Sequence, residues 1–307
     1  MPDNDAIPFF TTPAFIQKFI PAEGLRPFLK PGYGEFMIMR VEDMYQHVQR
    51  AVPPSKSTTH IIIYLTSGQA NMQVDSQPYT LVEGQMLTIA AGQIISFDAY
   101  HTGISNEGFI CIFDTPFLSG QPLQTDIGQQ FEFFRVYSPP FISFPGDKQP
   151  HILHLLNRLL DEYQRNGLHN APLLQSYLLT LLLEIKTVYP PLPASRQRAS
   201  VGITLQFLDL LPKHIQQEHR VSAYAALLNL SPNHLNKAVK TITGKSPATW
   251  IDETIVLEAK VLLAQTPAGI AQVAAALGLL DASYFTRLFK KKTGLTPGDY
   301  RKKIELS

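Results

Sequence analysis

Two sets of side chains in the last third of the chain are spaced for binding chemistry. Asn233, Asn236, Lys237 and Lys240 fall on one helical face, and Ser283, Tyr284, Arg287, Lys290 and Lys291 fall on another. Arginine or lysine offers donors to guanine O6 and N7, and asparagine matches adenine N6 and N7. Lysines at a helix end suit phosphate oxygens. Together they predict a surface for double-stranded DNA. Elsewhere no catalytic set assembles. Cys111, the sole cysteine, sits in Phe109-Ile110-Cys111-Ile112-Phe113, which reads as a buried strand, so packing is expected rather than nucleophilic chemistry. No group of His, Asp, Glu or Cys shows ligand spacing, so neither a metal nor a cofactor is expected.

The elements that must hold the two sets repeat. Ala225 to Leu230 aligns with Ala274 to Leu279 at an offset of 49. With Leu280 as an extra residue, the match continues at an offset of 50. Lys237 then meets Arg287, Thr243-Gly244 meets Thr293-Gly294, Ser246-Pro247 meets Thr296-Pro297, and Trp250 meets Tyr300. Each unit, about 220–244 and 269–294, reads helix, turn, helix. Ser231 and Asp281 are expected N-caps, with Pro232 at the first helical position. Leu235, Ala238, Val239 and Ile242 form the inward stripe of one second helix, and Phe285, Leu288 and Phe289 that of the other. Such a second helix fits the major groove. Between the units, Pro247 to Gln265 reads as one long helix that would hold the two readers about one DNA turn apart.

The first half follows another pattern. Runs at 35–41, 60–65, 71–74, 77–81, 84–89, 94–97 and 109–113 predict strands of an antiparallel sandwich or barrel. Fifteen of the 18 Phe precede Pro150, more than a small β-core strictly needs; core packing is the favoured reading, with a Phe-lined cavity as the alternative. Ile152 to Tyr163 and Leu174 to Ile185 form apolar stripes of two helices, an αα-hairpin with leucines enough to meet the β-domain or a second subunit. A Pro-rich stretch from Tyr189 to Arg198 reads as a linker. Through Tyr189 there are 11 Lys and Arg against 17 Asp and Glu, and beyond it 15 against 8, a balance of −6 followed by +7. The net charge of +1 therefore conceals one basic module suited to a polyanion. No signal peptide or membrane span is evident, and a cytoplasmic protein without a membrane partner is expected.

Leu277-Gly278, the run from Ser283 to Lys291, Gly294-Leu295-Thr296-Pro297 and Tyr300-Arg301 resemble the C-terminal signature of AraC-type transcriptional regulators. The likeness covers about 202–303. It implies a transcription factor with two helix-turn-helix units on one long helix, base contacts at Asn233, Asn236, Lys237, Ser283, Tyr284 and Arg287, and RNA polymerase as a possible partner. Two features depart from the pattern: Leu279 replaces the usual Phe, and Thr254 and Val261 stand where the linker helix often carries basic residues. The family also implies a cupin-like N-terminal β-barrel that senses a small-molecule effector, and a hairpin that forms a homodimer. The expected fold class is thus α+β with two domains: a cupin-like antiparallel β-barrel (1–149) and helical hairpin (150–189), a linker (190–200), and an all-α domain (201–307). Cupin metal ligands are missing, since only His60 and Gln93-Ile94-Ile95-Ser96 occupy the relevant regions; His47, His60 and His101 are expected to be ordinary polar residues. Three alternatives stay open for the first domain: an effector sensor, a ligand-free oligomerisation or protein-binding module, or a cupin-type enzyme. Activation and repression are equally open.

Overall fold

β-Branched and aromatic runs supply most of the strands, and leucine stripes most of the helices. The computed structural model describes residues 8–20, 22–45, 47, 51–75, 77–97, 106–119, 127–135, 140–189 and 198–305. The chain divides into two units, one built on Phe9–Pro190 and the other on Pro191–Ser307.

The first unit contains strands β1 (Phe9–Phe10), β2 (Phe36–Arg40), β3 (Val52–Ser57), β4 (His60–Ser67) and β5 (Gln69–Val74), then β6 (Gln77–Val82), β7 (Gln85–Ile89), β8 (Ile94–Phe97), β9 (Glu107–Phe113) and β10 (Phe141–Ser143). They form two five-stranded sheets, ordered β1-β3-β8-β5-β6 and β10-β7-β4-β9-β2. Among the described residues the sheets do not close into the expected barrel. One edge of each sheet is short, β1 having two residues and β10 three. In β3 the register shifts between Val52 and Ser55, where Pro53 and Pro54 have no N–H to give to a ladder. The sheets are antiparallel except where β1 runs parallel to β3. Alternation is clean in β5, whose Ala70, Met72 and Val74 are buried while Gln69, Asn71 and Gln73 are exposed. β4 lies between β7 and β9 and is buried on both faces from His60 to Leu65.

Helices α1 (Thr12–Phe19), α2 (Ala22–Leu25), α3 (Val41–Tyr45) and α4 (Ile127–Gln130) accompany the sheets. The hairpin consists of α5 (Gln149–Asn166) and α6 (Ala171–Val188). Its stripes are used within the chain: Ile152, Leu156, Leu159, Leu174, Leu178, Leu181 and Ile185 are all buried. The buried Tyr163 hydroxyl accepts a hydrogen bond from Lys30 N at 3.2 Å, and burial pushes its pKa up to about 12.

The second unit is all helical, with α7 (Arg198–His214), α8 (Val221–Leu227), α9 (Pro232–Thr243), α10 (Pro247–Gln265), α11 (Ile270–Ala276), α12 (Ala282–Thr293) and α13 (Pro297–Glu305). Residues 198–200, read from sequence as linker, are already helical; 190–197 lie outside the described residues, as does His101. Its core joins Phe207, Tyr224, Leu235, Val239, Ile255, Ala259, Val273, Phe285 and Phe289.

Candidate functional site

The joints of the repeated unit recur, although the caps of the two second helices reach different N–H groups. Ser231 caps α9 by accepting from His234 N at 3.2 Å, and Asp281 caps α12 by accepting from Ser283 N at 2.8 Å. Both helices end on a left-handed glycine, Gly244 at φ +73° and Gly294 at φ +80°. Thr243 Oγ1 donates toward Val239 O at 2.8 Å and accepts from Lys245 N at 3.2 Å. Thr293 Oγ1 does the same with Phe289 O and Leu295 N at the same distances. Ser246 caps α10 through Thr249 N, and Thr296 accepts from Asp299 N, each at 3.2 Å. The extra residue Leu280 projects fully into solvent, while Leu279 beside it is buried.

These joints leave one face of each second helix free. Asn233, Asn236, Lys237 and Lys240 are exposed on α9, and Ser283, Tyr284, Arg287, Lys290 and Lys291 on α12. Leu235, Ala238 and Val239 are buried beneath the first set, and Phe285, Leu288 and Phe289 beneath the second. Ile242, assigned to the inward stripe, is only half-buried. Arg287 Nη2 approaches Asp281 Oδ2 at 3.7 Å. One exposed position was missed: His234 stands at the offset of Tyr284 and is exposed on the same face as Asn233 and Lys237. Applying the 50-residue offset to the outward positions, and not only to core and caps, finds it.

Other basic residues serve the scaffold. Arg301 donates to the Leu263 carbonyl at 3.1 Å and to the Ala268 carbonyl, tying α13 to the end of α10. Glu253 of α10 lies 2.8 Å from Lys245 Nζ and 3.6 Å from Lys292 Nζ, linking the segments that follow the first reader and end the second. Of the departures in the linker helix, Val261 is fully buried and Thr254 returns its hydroxyl to the Trp250 carbonyl at 2.8 Å. A cation at 261 would therefore face the core.

In the first unit His60 is engaged on both ring nitrogens. Nδ1 accepts from Ala91 N at 3.1 Å, and Nε2 pairs with Thr115 Oγ1 at 3.1 Å. Its ring stacks on Phe113 at 5.3 Å. Gln93 Nε2 donates to Asp75 Oδ2 at 2.8 Å. Among the described residues no group of three or more His, Cys, Asp or Glu could hold a metal. Cys111 is buried, and burial pushes its thiol pKa well above the usual range. A cavity of about 780 Å³, measured out to its mouth, opens among α1, β2, β3, β4, β8 and β9. Two phenylalanines, Phe15 and Phe97, line it; Phe36, Phe109, Phe113, Phe131 and Phe133 are core. Most of the wall is Ile and Met, so the count of Phe reflected packing.

These features define a class: a β-sheet domain with an internal cavity, followed by a paired helix-turn-helix domain. A family model for the AraC-like ligand binding domain matches residues 39–182, and a helix-turn-helix domain model matches 224–303. The arabinose operon regulatory protein of Salmonella typhimurium is 29% identical over 160 residues, covering 50% of this chain and 54% of that protein. The bifunctional transcriptional activator/DNA repair enzyme AdaA of Bacillus subtilis is 33% identical over 101 residues, covering 33% of this chain and 46% of its own. A solved C-terminal domain of AraT, a response regulator from Geobacillus stearothermophilus, is 28% identical with a TM-score of 0.32, covering 33% of this chain and 84% of that one. The chain spans about half the length of the curated relatives it matches. It belongs to the AraC-type helix-turn-helix transcriptional regulators. Among the described residues no helix is long and apolar enough to cross a membrane.

Proposed function

We propose that the chain is a sequence-specific, DNA-binding transcriptional regulator that works on cytoplasmic DNA, with an effector-binding first domain. The observation that carries this reading is the second-helix pair: a side-chain cap, an apolar core stripe and a left-handed terminal glycine at matching positions in both, beneath exposed residues that differ. Asn233, Asn236, Lys237, Ser283, Tyr284 and Arg287 read base edges, joined by His234. Lys240, Lys290 and Lys291 hold phosphates. A small molecule in the β-sheet cavity alters how the basic unit engages its site, which supports a sensor over a filled structural module. Family likeness adds RNA polymerase as the partner of the bound regulator. Two copies pair through α6, where Leu183 stays 45% exposed one turn beyond the half-buried Leu179.

Selection of bound sequences from random DNA, followed by footprinting, tests the central claim. The expected result is a bipartite site whose halves are centred about 10 base pairs apart. Absence of enrichment over random sequence overturns it. Light scattering on the full chain tests the pairing, with a mass of one chain as the contrary result.

A further inference from the structure

The cavity in the first unit is short of polar groups. Its described wall contains three hydroxyls, on Thr12, Ser57 and Thr59, and no charged side chain. Ser57 Oγ and Thr59 Oγ1 lie 2.7 Å apart and bond each other, and Thr59 N also donates to Ser57 Oγ at 3.1 Å. The Thr12 hydroxyl is different. The residue is 4% exposed, and its Oγ1 has no hydrogen-bond partner among the described residues. A buried hydroxyl left unpaired is costly and rare. It stands on the first turn of α1, where Phe15 and Ile16 also line the cavity.

From this arrangement we propose that the cavity takes an uncharged, mostly hydrocarbon molecule carrying one hydroxyl or carbonyl, which pairs with Thr12 Oγ1 once a rotation about χ1 turns that hydroxyl into the cavity, since the atom has almost no exposed surface as it stands. The proposal deepens the effector reading above and rests on it. Met37, Met39, Ile61 and Ile110 offer an adaptable apolar wall, and Phe15 and Phe97 add ring surface for a flat ligand. A carboxylate would enter without a countercharge from the described wall. A sugar would bring four or more hydroxyls to a wall with one unpaired group, and each hydroxyl left over loses its water for nothing.

A matched series on the full-length protein tests it by calorimetric titration: 2-phenylethanol, ethylbenzene, phenylacetate and L-arabinose. We expect 2-phenylethanol to bind tightest, about fivefold to tenfold better than ethylbenzene, one hydrogen bond's share. In Thr12→Val that preference disappears while ethylbenzene binding persists, and Thr12→Ser restores it. Thr12→Val also raises the melting temperature of the ligand-free protein, because it removes an unpaired buried hydroxyl of nearly the same volume. Tighter binding of phenylacetate or arabinose, no binding by any of the four, or a lowered melting temperature in Thr12→Val each overturns the proposal. If 2-phenylethanol binds as expected but leaves affinity for the selected DNA unchanged, the cavity assignment stands and the regulatory coupling falls.

Discussion

Asp281 and Arg287 are coupled through one carboxylate: Oδ1 caps α12 through Ser283 N at 2.8 Å, and Oδ2 lies 3.7 Å from Arg287 Nη2. Both residues are well exposed, so the ion pair itself adds little stability. Its effect is to keep the guanidinium near the start of the helix, over the face proposed to meet bases. Arg287→Ala is expected to cost about 1–3 kcal/mol on the selected site and to relax discrimination at one base pair. Asp281→Ala removes the cap as well, lowering unfolding stability by about 1 kcal/mol, whereas Asp281→Asn keeps most of it. Gel-shift affinities on single-base variants of the site, with urea denaturation of each protein, check both. Unaltered operator affinity in Arg287→Ala would show that α12 does not read DNA.

Lys291 is exposed at the end of α12 and has no ion pair among the described residues, unlike its neighbour Lys292, which meets Glu253. Lys291→Ala should weaken binding to every sequence by a similar factor and reduce the slope of log affinity against log salt by about 1. Titrations at several salt concentrations, on selected and scrambled DNA, measure it. A loss confined to the selected site would make Lys291 a base reader.

Gly278 and Gly294 both have positive φ, +71° and +80°, but different surroundings. A Cβ on Gly278 would come within 2.0 Å of the Gln216 carbonyl oxygen, and one on Gly294 would meet nothing within 4 Å. Gly294→Ala is expected to cost about 1–2 kcal/mol, the left-handed backbone alone. Gly278→Ala should cost more than that, because the turn must move off the segment following α7. Thermal unfolding of the two variants side by side decides the order.

Cys111 should resist thiol reagents in the folded protein. It is fully buried, paired in register with Ile38 and Ile62, and its thiol is pushed up by burial. Ellman's reagent is expected to titrate about one thiol only after denaturant is added. Rapid reaction in the native state would mean that β9 opens readily.

The second unit was the more legible because duplication writes its joints twice. Ser231, Gly244, Gly294 and the helix from Pro247 to Gln265 stand where spacing put them. Spacing could not reveal what the joints do: Thr243 and Thr293 knot backbone groups, and Arg301 clamps two carbonyls, none of it periodic. In the first unit the alternating strands were plain, but β3 was hidden by Pro53 and Pro54, and α1 by its brevity. Both line the cavity, so a cavity could be raised from the Phe count but its actual lining could not be read. The hairpin leucines left a partner open because sequence counts apolar surface without saying which neighbour covers it; here α5 and α6 cover much of each other and the sheet beside them covers part of the rest.

The two readers share a frame and differ in what they display: Asn233, His234 and Lys237 on one, Ser283, Tyr284 and Arg287 on the other. One chain therefore has a front and a back along the duplex, unlike a pair of identical readers related by a two-fold axis. A site inverted end to end is a different site to it. On the proposed function, a direction along the site is thus written into a single copy, with no need of a second.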